Sequence, residues 1–115
     1  MTVNVTPSDR VLAYRDFTRQ TANDFTRNDR FYLLSGLVSE VGELADMLKK
    51  YIATGGSEYK WNSQKEAGLE LGDLLWYLTR LADTHGLTLY DVMNMNEEKL
   101  RARILQGTIL KRDGR

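Results

Sequence analysis

The spacing of apolar residues along the chain indicates α-helices almost throughout. Leucine, valine and aromatic residues recur at steps of three and four, and no segment alternates with the period of two that is typical of a strand. This pattern predicts helices over about 8–25, 30–53, 63–85 and 89–105. We therefore expect one all-α domain over residues 1–115 that resembles a four-helix bundle with short connections.

Residues at the predicted helix ends agree with these boundaries. Pro7 suits a first helical turn with Thr6 as its cap, and Ser63 and Thr88 each begin a capping-box pattern. Glycine readily adopts the left-handed conformation with which many helices end. The glycines expected at such ends are Gly55, Gly56, Gly86 and Gly107. The basic tail to Arg115 is expected to be loose or to dock on another subunit.

The composition fits a soluble domain with a modest core. Of the 115 residues, 42% are hydrophobic, and the 16 basic residues balance the 16 acidic ones. Such balance argues against duplex nucleic acid as the main partner, because that partner favours a basic excess. The absence of cysteine excludes thiolate metal sites and fits a cytoplasmic location. No apolar run approaches the roughly 18 residues of a membrane span, so no membrane partner is expected.

Two pairs of carboxylates are the most informative feature. Glu40 and Glu43 lie three residues apart in one predicted helix, and Glu70 and Asp73 lie three residues apart in another. Positions i and i+3 share a helix face, so two adjacent helices would direct all four carboxylates into one volume. Four anions in one volume require a counter-charge, and hard divalent cations prefer oxygen ligands. The sequence therefore predicts a site for Mg²⁺ or Mn²⁺.

Large apolar residues flank these acids. In the second acidic helix, Leu71 lies on one side of the carboxylates, and Leu69 and Trp76 lie on the other. An ionised carboxylate in such surroundings is costly without partners. One acidic pair alone would more often form an ordinary surface salt bridge, but two pairs with apolar flanks favour the metal site.

A basic stripe occurs in the last predicted helix. Asn96, Lys99 and Arg103 share one face. Lys and Arg bind phosphate oxygens directly, and Arg often does so with two parallel hydrogen bonds. The stripe is thus either a phosphate-binding surface that faces the metal site or a solvated edge that pairs with Glu97 or Glu98.

Three motifs follow one another along the chain. Residues 36–44 contain Glu-x-x-Glu, residues 70–78 contain Glu-x-x-Asp, and residues 96–103 read Asn-x-x-Lys-x-x-x-Arg. In this order they resemble the MazG-like nucleoside triphosphate pyrophosphohydrolases of the all-α NTP pyrophosphatase superfamily, over about residues 30–107. The resemblance implies Mg²⁺-dependent hydrolysis of a nucleoside triphosphate to a monophosphate and pyrophosphate.

The resemblance also implies roles for individual residues. The implied catalytic residues and metal ligands are Glu40, Glu43, Glu70 and Asp73. The implied substrate contacts are Lys99 and Arg103 to phosphates, with Asn96 nearby, and Tyr77 to the base or sugar. Family members assemble as dimers or dimers of dimers, so we expect a homodimer or homotetramer. Apolar residues on more than one side of the two acidic helices support that expectation.

One position departs from the family pattern. Many members have a further Glu immediately before the first motif Glu, whereas this chain has Ser39. The identity of a general base is therefore open. Glu66, one turn before Glu70, is one candidate, and a capping-box role is its alternative. His85, beside Gly86, is expected to be a cap or surface residue.

Two other functions remain open. The chain is alternatively a non-catalytic helical module that binds a structural cation or a partner protein, or a related enzyme that acts on a phosphoribosyl metabolite. A carboxylate di-iron bundle is set aside because it takes two Glu-x-x-His motifs and the chain has one histidine. The preferred base and the biological role stay open. The aromatic residues considered for stacking are Phe17, Trp61, Trp76 and Tyr77.

Overall fold

A computed structural model describes residues 6–56 and 64–107, which form five α-helices and no strand. The helices are α1 (Pro7–Thr21), α2 (Asp24–Asn28), α3 (Arg30–Ala53), α4 (Gln64–Thr84) and α5 (Leu89–Leu105). The prediction of an all-α fold is thereby confirmed. The expectations for Trp61, for the capping box at Ser63 and for the tail to Arg115 lie outside the described residues.

The prediction of one continuous helix over residues 8–25 is wrong, because the chain breaks after Thr21 and starts a new helix. Ala22 has an extended backbone, with φ −83° and ψ 143°. The Asn23 side chain then accepts a hydrogen bond from the Thr26 N–H at 2.8 Å, and the Thr26 hydroxyl accepts one from the Asn23 N–H at 2.9 Å. This reciprocal capping box begins α2, so the described part of the chain has five helices where the sequence predicted four.

The other predicted helix ends are confirmed where the structure describes them. Thr6 caps α1 by accepting a hydrogen bond from the Asp9 N–H, and Thr88 and Asp91 form the capping box of α5. The glycines expected at helix ends have φ values of 63°, 88°, 72° and 71° at Gly55, Gly56, Gly86 and Gly107. This left-handed backbone is the conformation expected at such positions.

Helix α4 is the central element of the fold. It packs along α3, and it also contacts α1, α2 and α5. Helix α2 packs against both α3 and α4, and α5 reaches α1. Because α3 and α4 lie side by side, the two acidic pairs are in position to meet.

A buried ion-pair network joins α1 and α2 to the end of α4. Arg80 is only 1% exposed, and its guanidinium donates hydrogen bonds to the main-chain oxygens of Thr26 and Arg27 and to Asp83. Arg19 donates two more to Asp83, at 2.8 and 2.7 Å. These hydrogen bonds, first from Arg19 and then from Arg80, lower the pKa of Asp83 to about 2.

Few apolar side chains are fully covered within one chain. Among the described residues, the buried apolar ones are Ala22, Leu33 and Ala82. By contrast, Val38 on α3 is 62% exposed and Leu69 on α4 is 60% exposed. Exposed apolar surface of this kind is typical of interaction surfaces and supports the expectation that the chain associates. None of the described helices combines the length and apolarity needed to cross a membrane.

Candidate metal centre

Three of the predicted carboxylates meet between α3 and α4. One carboxylate oxygen from each of Glu40, Glu43 and Glu70 lies within 4.8 Å of the other two. The i, i+3 spacing in α3 brings the first two to one face, and α4 supplies the third. Oxygens bound to one Mg²⁺ lie roughly 3–4 Å apart, so the three side chains would have to draw closer to hold one cation.

The carboxylates of this cluster lack the partners that buried charges need. Oε2 of Glu40 and Oε2 of Glu70 are inaccessible to solvent, and neither has a hydrogen-bond donor in the part of the chain that the structure describes. None of the ion pairs among those residues includes either acid or Glu43. A buried carboxylate oxygen without a donor is costly, so this arrangement fits a cation as the missing partner.

The electrostatics of Glu40 reflect both its burial and its neighbours. Burial raises the pKa of Glu40 most, and the negative charges of Glu43, Asp73 and Glu70 raise it further. Asp73 is not among the three closest acids, but its charge acts on Glu40 and both residues line one cavity. The structure thus brings three predicted ligands together and places the fourth at the edge of the site.

Two cavities open beside these carboxylates. One, of about 290 Å³, is lined by Tyr32, Ser35, Gly36, Ser39, Glu40 and Tyr77. The other, of about 330 Å³, is lined by Thr21, Glu40, Asp73, Trp76 and Tyr77. Because Glu40 and Tyr77 belong to both linings, the Tyr77 ring stands between two spaces that each reach the metal centre.

The Tyr77 ring is held against the backbone of α3 at a glycine. A Cβ at Gly36 would lie 2.2 Å from Cε1 of Tyr77, so no side chain fits there without moving the ring. Burial raises the pKa of the Tyr77 phenol most, and the charge of Glu40 raises it further. The neighbouring Trp76 ring meets the Tyr77 ring edge-on, with the ring centroids 5.1 Å apart. The Trp76 indole N–H donates a hydrogen bond to the Thr21 hydroxyl at 2.8 Å.

Helix α2 adds an aromatic wall that the sequence pattern did not reveal. Phe25 of α2 stacks on Tyr32 of α3 with ring centroids 5.5 Å apart, and Tyr32 lines the smaller cavity. The signal that could have identified this wall is the Asn23-x-x-Thr26 capping box, which starts a helix close to the aromatic residues of α3.

The predicted phosphate-binding residues lie elsewhere in the single chain. Asn96 and Lys99 line a cavity of about 430 Å³ whose other lining residues are Leu87, Val92 and Met95. Arg103 is half-buried on α5 and does not line either cavity at the metal centre. Helix α5 packs on α4 and α1, and neither Asn96 nor Lys99 lines a cavity at the metal centre. Their role in binding phosphate stays a prediction.

The remaining candidates also lie outside the close cluster. Glu66 is half-buried on α4, one turn before Glu70, and is not among the three clustered acids. Ser39 lines the smaller cavity. His85 is exposed after the end of α4, where its backbone N–H donates to the Ala82 oxygen. The general base thus remains without a structural assignment.

Comparison with known proteins places the chain in a family. Residues 30–106 match the model of the MazG nucleotide pyrophosphohydrolase domain. The chain is 33% identical over 78 residues to the Gene 37 protein of Mycobacterium phage L5, covering 68% of each protein. It is 34% identical over 84 residues to the uncharacterized protein YvdC of Bacillus subtilis (strain 168), covering 69% of this chain and 79% of that one. No solved structure gives a significant match. The chain belongs to the MazG nucleotide pyrophosphohydrolase family.

Proposed function

We propose that this chain is a Mg²⁺-dependent nucleoside triphosphate pyrophosphohydrolase that releases a nucleoside monophosphate and pyrophosphate. The observation that supports this proposal best is the pair of buried carboxylate oxygens without donors, on Glu40 and Glu70, beside Glu43. Such a cluster is unfavourable in the free protein and becomes favourable when a divalent cation binds. The family match supports a pyrophosphohydrolase reaction at this cluster.

The four acids have distinct positions in this proposal. Glu40, Glu43 and Glu70 would hold Mg²⁺, or Mn²⁺ in its place, because their oxygens already lie within 4.8 Å of one another. The bound ion supplies Lewis acidity and neutralises charge on the phosphate oxygens. Asp73 lines the adjoining cavity with Glu40, and in this proposal its carboxylate would orient an attacking water.

The substrate base and sugar would occupy the space beside Tyr77. Aromatic rings provide flat surfaces for a nucleobase, and Tyr32 and Tyr77 line the same cavity. Lys99 and Arg103 would bind phosphate oxygens. Because neither residue lines a cavity at the metal centre, they would act from a neighbouring chain or on the distal phosphates.

The exposed apolar surfaces of α3 and α4 support association as a homodimer or homotetramer. Side chains such as Val38 and Leu69 remain more than half exposed in the single chain. Covering them would remove apolar area from water, which is favourable. Light scattering at micromolar concentration should therefore give a mass of at least two chains, and a monomer would contradict this part of the proposal.

The test is a panel of normal and modified nucleoside triphosphates incubated with the protein and Mg²⁺, with all products identified. We expect monophosphate and pyrophosphate in equal amounts, and no turnover with excess chelator. Asp46→Asn is the matched control, because Asp46 is an exposed acid of α3 that pairs with Lys50 at 2.9 Å. It should retain activity, whereas Glu43→Gln should lose it.

Three other outcomes would favour a different function. Release of nucleoside diphosphate and orthophosphate would show that the bond between the β and γ phosphates is cleaved instead. Metal binding without turnover would favour the non-catalytic helical module. Turnover of a phosphoribosyl nucleotide alone would favour the related enzyme that acts on such a metabolite.

A further inference from the structure

A second charged cavity lies near the opposite end of α4. It has a volume of about 540 Å³ and is lined by Arg19, Gln20, Arg27, Asn28, Arg80 and Asp83. It shares no lining residue with the two cavities at the metal centre. Ten positions along α4 separate Glu70 from Arg80, which corresponds to about 15 Å of helix rise.

The charges around this cavity do not balance. Three guanidinium groups line it against the single carboxylate of Asp83. That carboxylate is already engaged by Arg19 and Arg80, and Arg19 also pairs with Asp16 of α1 at 3.5 Å, which leaves Arg27 as the uncompensated charge. Arg27 has no carboxylate partner among the described residues, and its contact with the Ala22 oxygen, at 3.5 Å, is at the limit of a hydrogen bond. The lining therefore keeps an excess of positive charge.

Hydrogen-bond donors also remain available in the lining. Arg80 uses Nε, Nη1 and Nη2 once each, towards Thr26, Asp83 and Arg27. Because Arg80 is only 1% exposed, it supplies charge, whereas Arg27 is exposed and its guanidinium N–H groups can reach an anion. The side-chain amides of Gln20 and Asn28 line the same space and can donate as well.

We propose that this cavity binds a phosphate-bearing anion, with Arg27 as its principal donor and the charge of Arg80 behind it. The planar fork of a guanidinium matches two phosphate oxygens, and the excess positive charge matches a phosphate or pyrophosphate group. The cavity contains no clustered carboxylates, so binding here does not require a metal. This site is separate from the metal centre and does not depend on the proposed function.

Calorimetric titration with inorganic pyrophosphate in excess chelator tests this site. Without metal, the acidic centre repels anions, so binding reports on the arginine cavity. We expect one site per chain in the wild type and affinity about tenfold weaker in Arg27→Gln, because a charge-assisted contact is lost. The control is Arg101→Gln on α5, an exposed arginine that pairs with Glu97 and should bind as the wild type does.

A further variant separates this inference from the proposed function. Glu70→Gln should bind pyrophosphate under chelation as the wild type does, even if it has lost all turnover. If Glu70→Gln weakened binding as much as Arg27→Gln, the anion would be at the metal centre and the inference would be overturned. Absence of pyrophosphate binding to the wild type, or unchanged binding to Arg27→Gln, would overturn it as well.

The source of the phosphate group is distinguished by two more probes. Orthophosphate and a non-hydrolysable nucleoside triphosphate are titrated under the same conditions. Equal affinity for pyrophosphate and the nucleotide would support a site for inorganic phosphates. Tighter nucleotide binding that Arg27→Gln weakens would support a site for a nucleotide effector.

Discussion

The buried charged groups near the two ends of α4 differ in whether they have hydrogen-bond partners. Near one end, Glu70 meets Glu40 and Glu43, and oxygens of two of these acids are buried without a donor among the described residues. Near the other end, Arg80 is buried even more completely, but each of its three nitrogens donates a hydrogen bond. Asp83 accepts from two arginines at the same end.

The pKa shifts show what this difference means for folding. Burial and like charges raise the pKa of Glu40, so its ionised form opposes folding. The arginine hydrogen bonds lower the pKa of Asp83 to about 2, so its ionised form favours folding. The ionised Asp83 therefore stabilises the chain, whereas the ionised Glu40 destabilises it. We infer that the cluster serves a ligand rather than the fold.

The largest effect is expected from removing one charge of the acidic cluster. Glu70→Gln should lower turnover at least about 100-fold, because the metal loses a ligand and the site loses its charge balance. The metal-free protein should nevertheless melt at the same or a higher temperature, since a like-charge repulsion is relieved. Turnover assays and chelated thermal melts check both parts. Loss of activity together with unfolding would identify a structural salt bridge instead.

The opposite result is expected at the other end of α4. Arg80→Met should destabilise the chain by about 1–3 kcal/mol, because the main-chain oxygens of Thr26 and Arg27 lose their buried donor while Asp83 keeps Arg19. Urea unfolding measures this loss, with Arg101→Met as the exposed control. A change below about 1 kcal/mol, the value typical of an exposed pair, would mean that the network does not stabilise the fold.

The acid stability of the protein should depend on Asp83. Its pKa is lowered from 3.8 to about 2 in the folded chain, so its contribution is present above the unfolded pKa and disappears as the pH falls between these values. This contribution amounts to about 2 kcal/mol for a shift of this size. Unfolding free energies measured between pH 5 and pH 2 should fall less steeply in Asp83→Asn. Identical slopes in both proteins would contradict the assignment.

The smallest effect is expected at Gly36. Alanine normally stabilises a helix by about 1 kcal/mol relative to glycine, and Gly42→Ala should show that gain because nothing lies within 4 Å of the added Cβ. Gly36→Ala should instead displace the Tyr77 ring, cancel the gain and raise KM. Thermal melts and KM values of the two variants make the comparison. An unchanged KM in Gly36→Ala would show that Tyr77 does not contact the substrate.

The acidic cluster was accessible to sequence reasoning because its geometry is mostly local. The i, i+3 spacing fixes which carboxylates share a helix face, and only the pairing of α3 with α4 had to be added. The position of Asp73 beside the cluster depends on how the two helices are rotated about their axes. Spacing along one helix does not determine that rotation, so the distinction between Asp73 and Glu70 appears only in the structure.

The arginine network was not accessible in the same way. Arg19 and Asp83 are 64 positions apart in sequence. Arg80 binds main-chain oxygens of α2, a helix that the apolar periodicity merged into the first one. Asn96, Lys99 and Arg103 occupy positions i, i+3 and i+7 of α5, but the direction of that face depends on how α5 packs.

The most direct test of the metal centre is a measurement of Mn²⁺ binding by electron paramagnetic resonance, without and with a non-hydrolysable nucleoside triphosphate. The acidic cluster predicts a Mn²⁺ site in the wild type that tightens when the nucleotide binds, because phosphate oxygens complete the coordination. Glu43→Gln should lose this site, and Asp46→Asn, which alters an exposed acid paired with Lys50, should keep it. Equal Mn²⁺ binding by Glu43→Gln and the wild type would contradict the claim that these carboxylates form the metal centre.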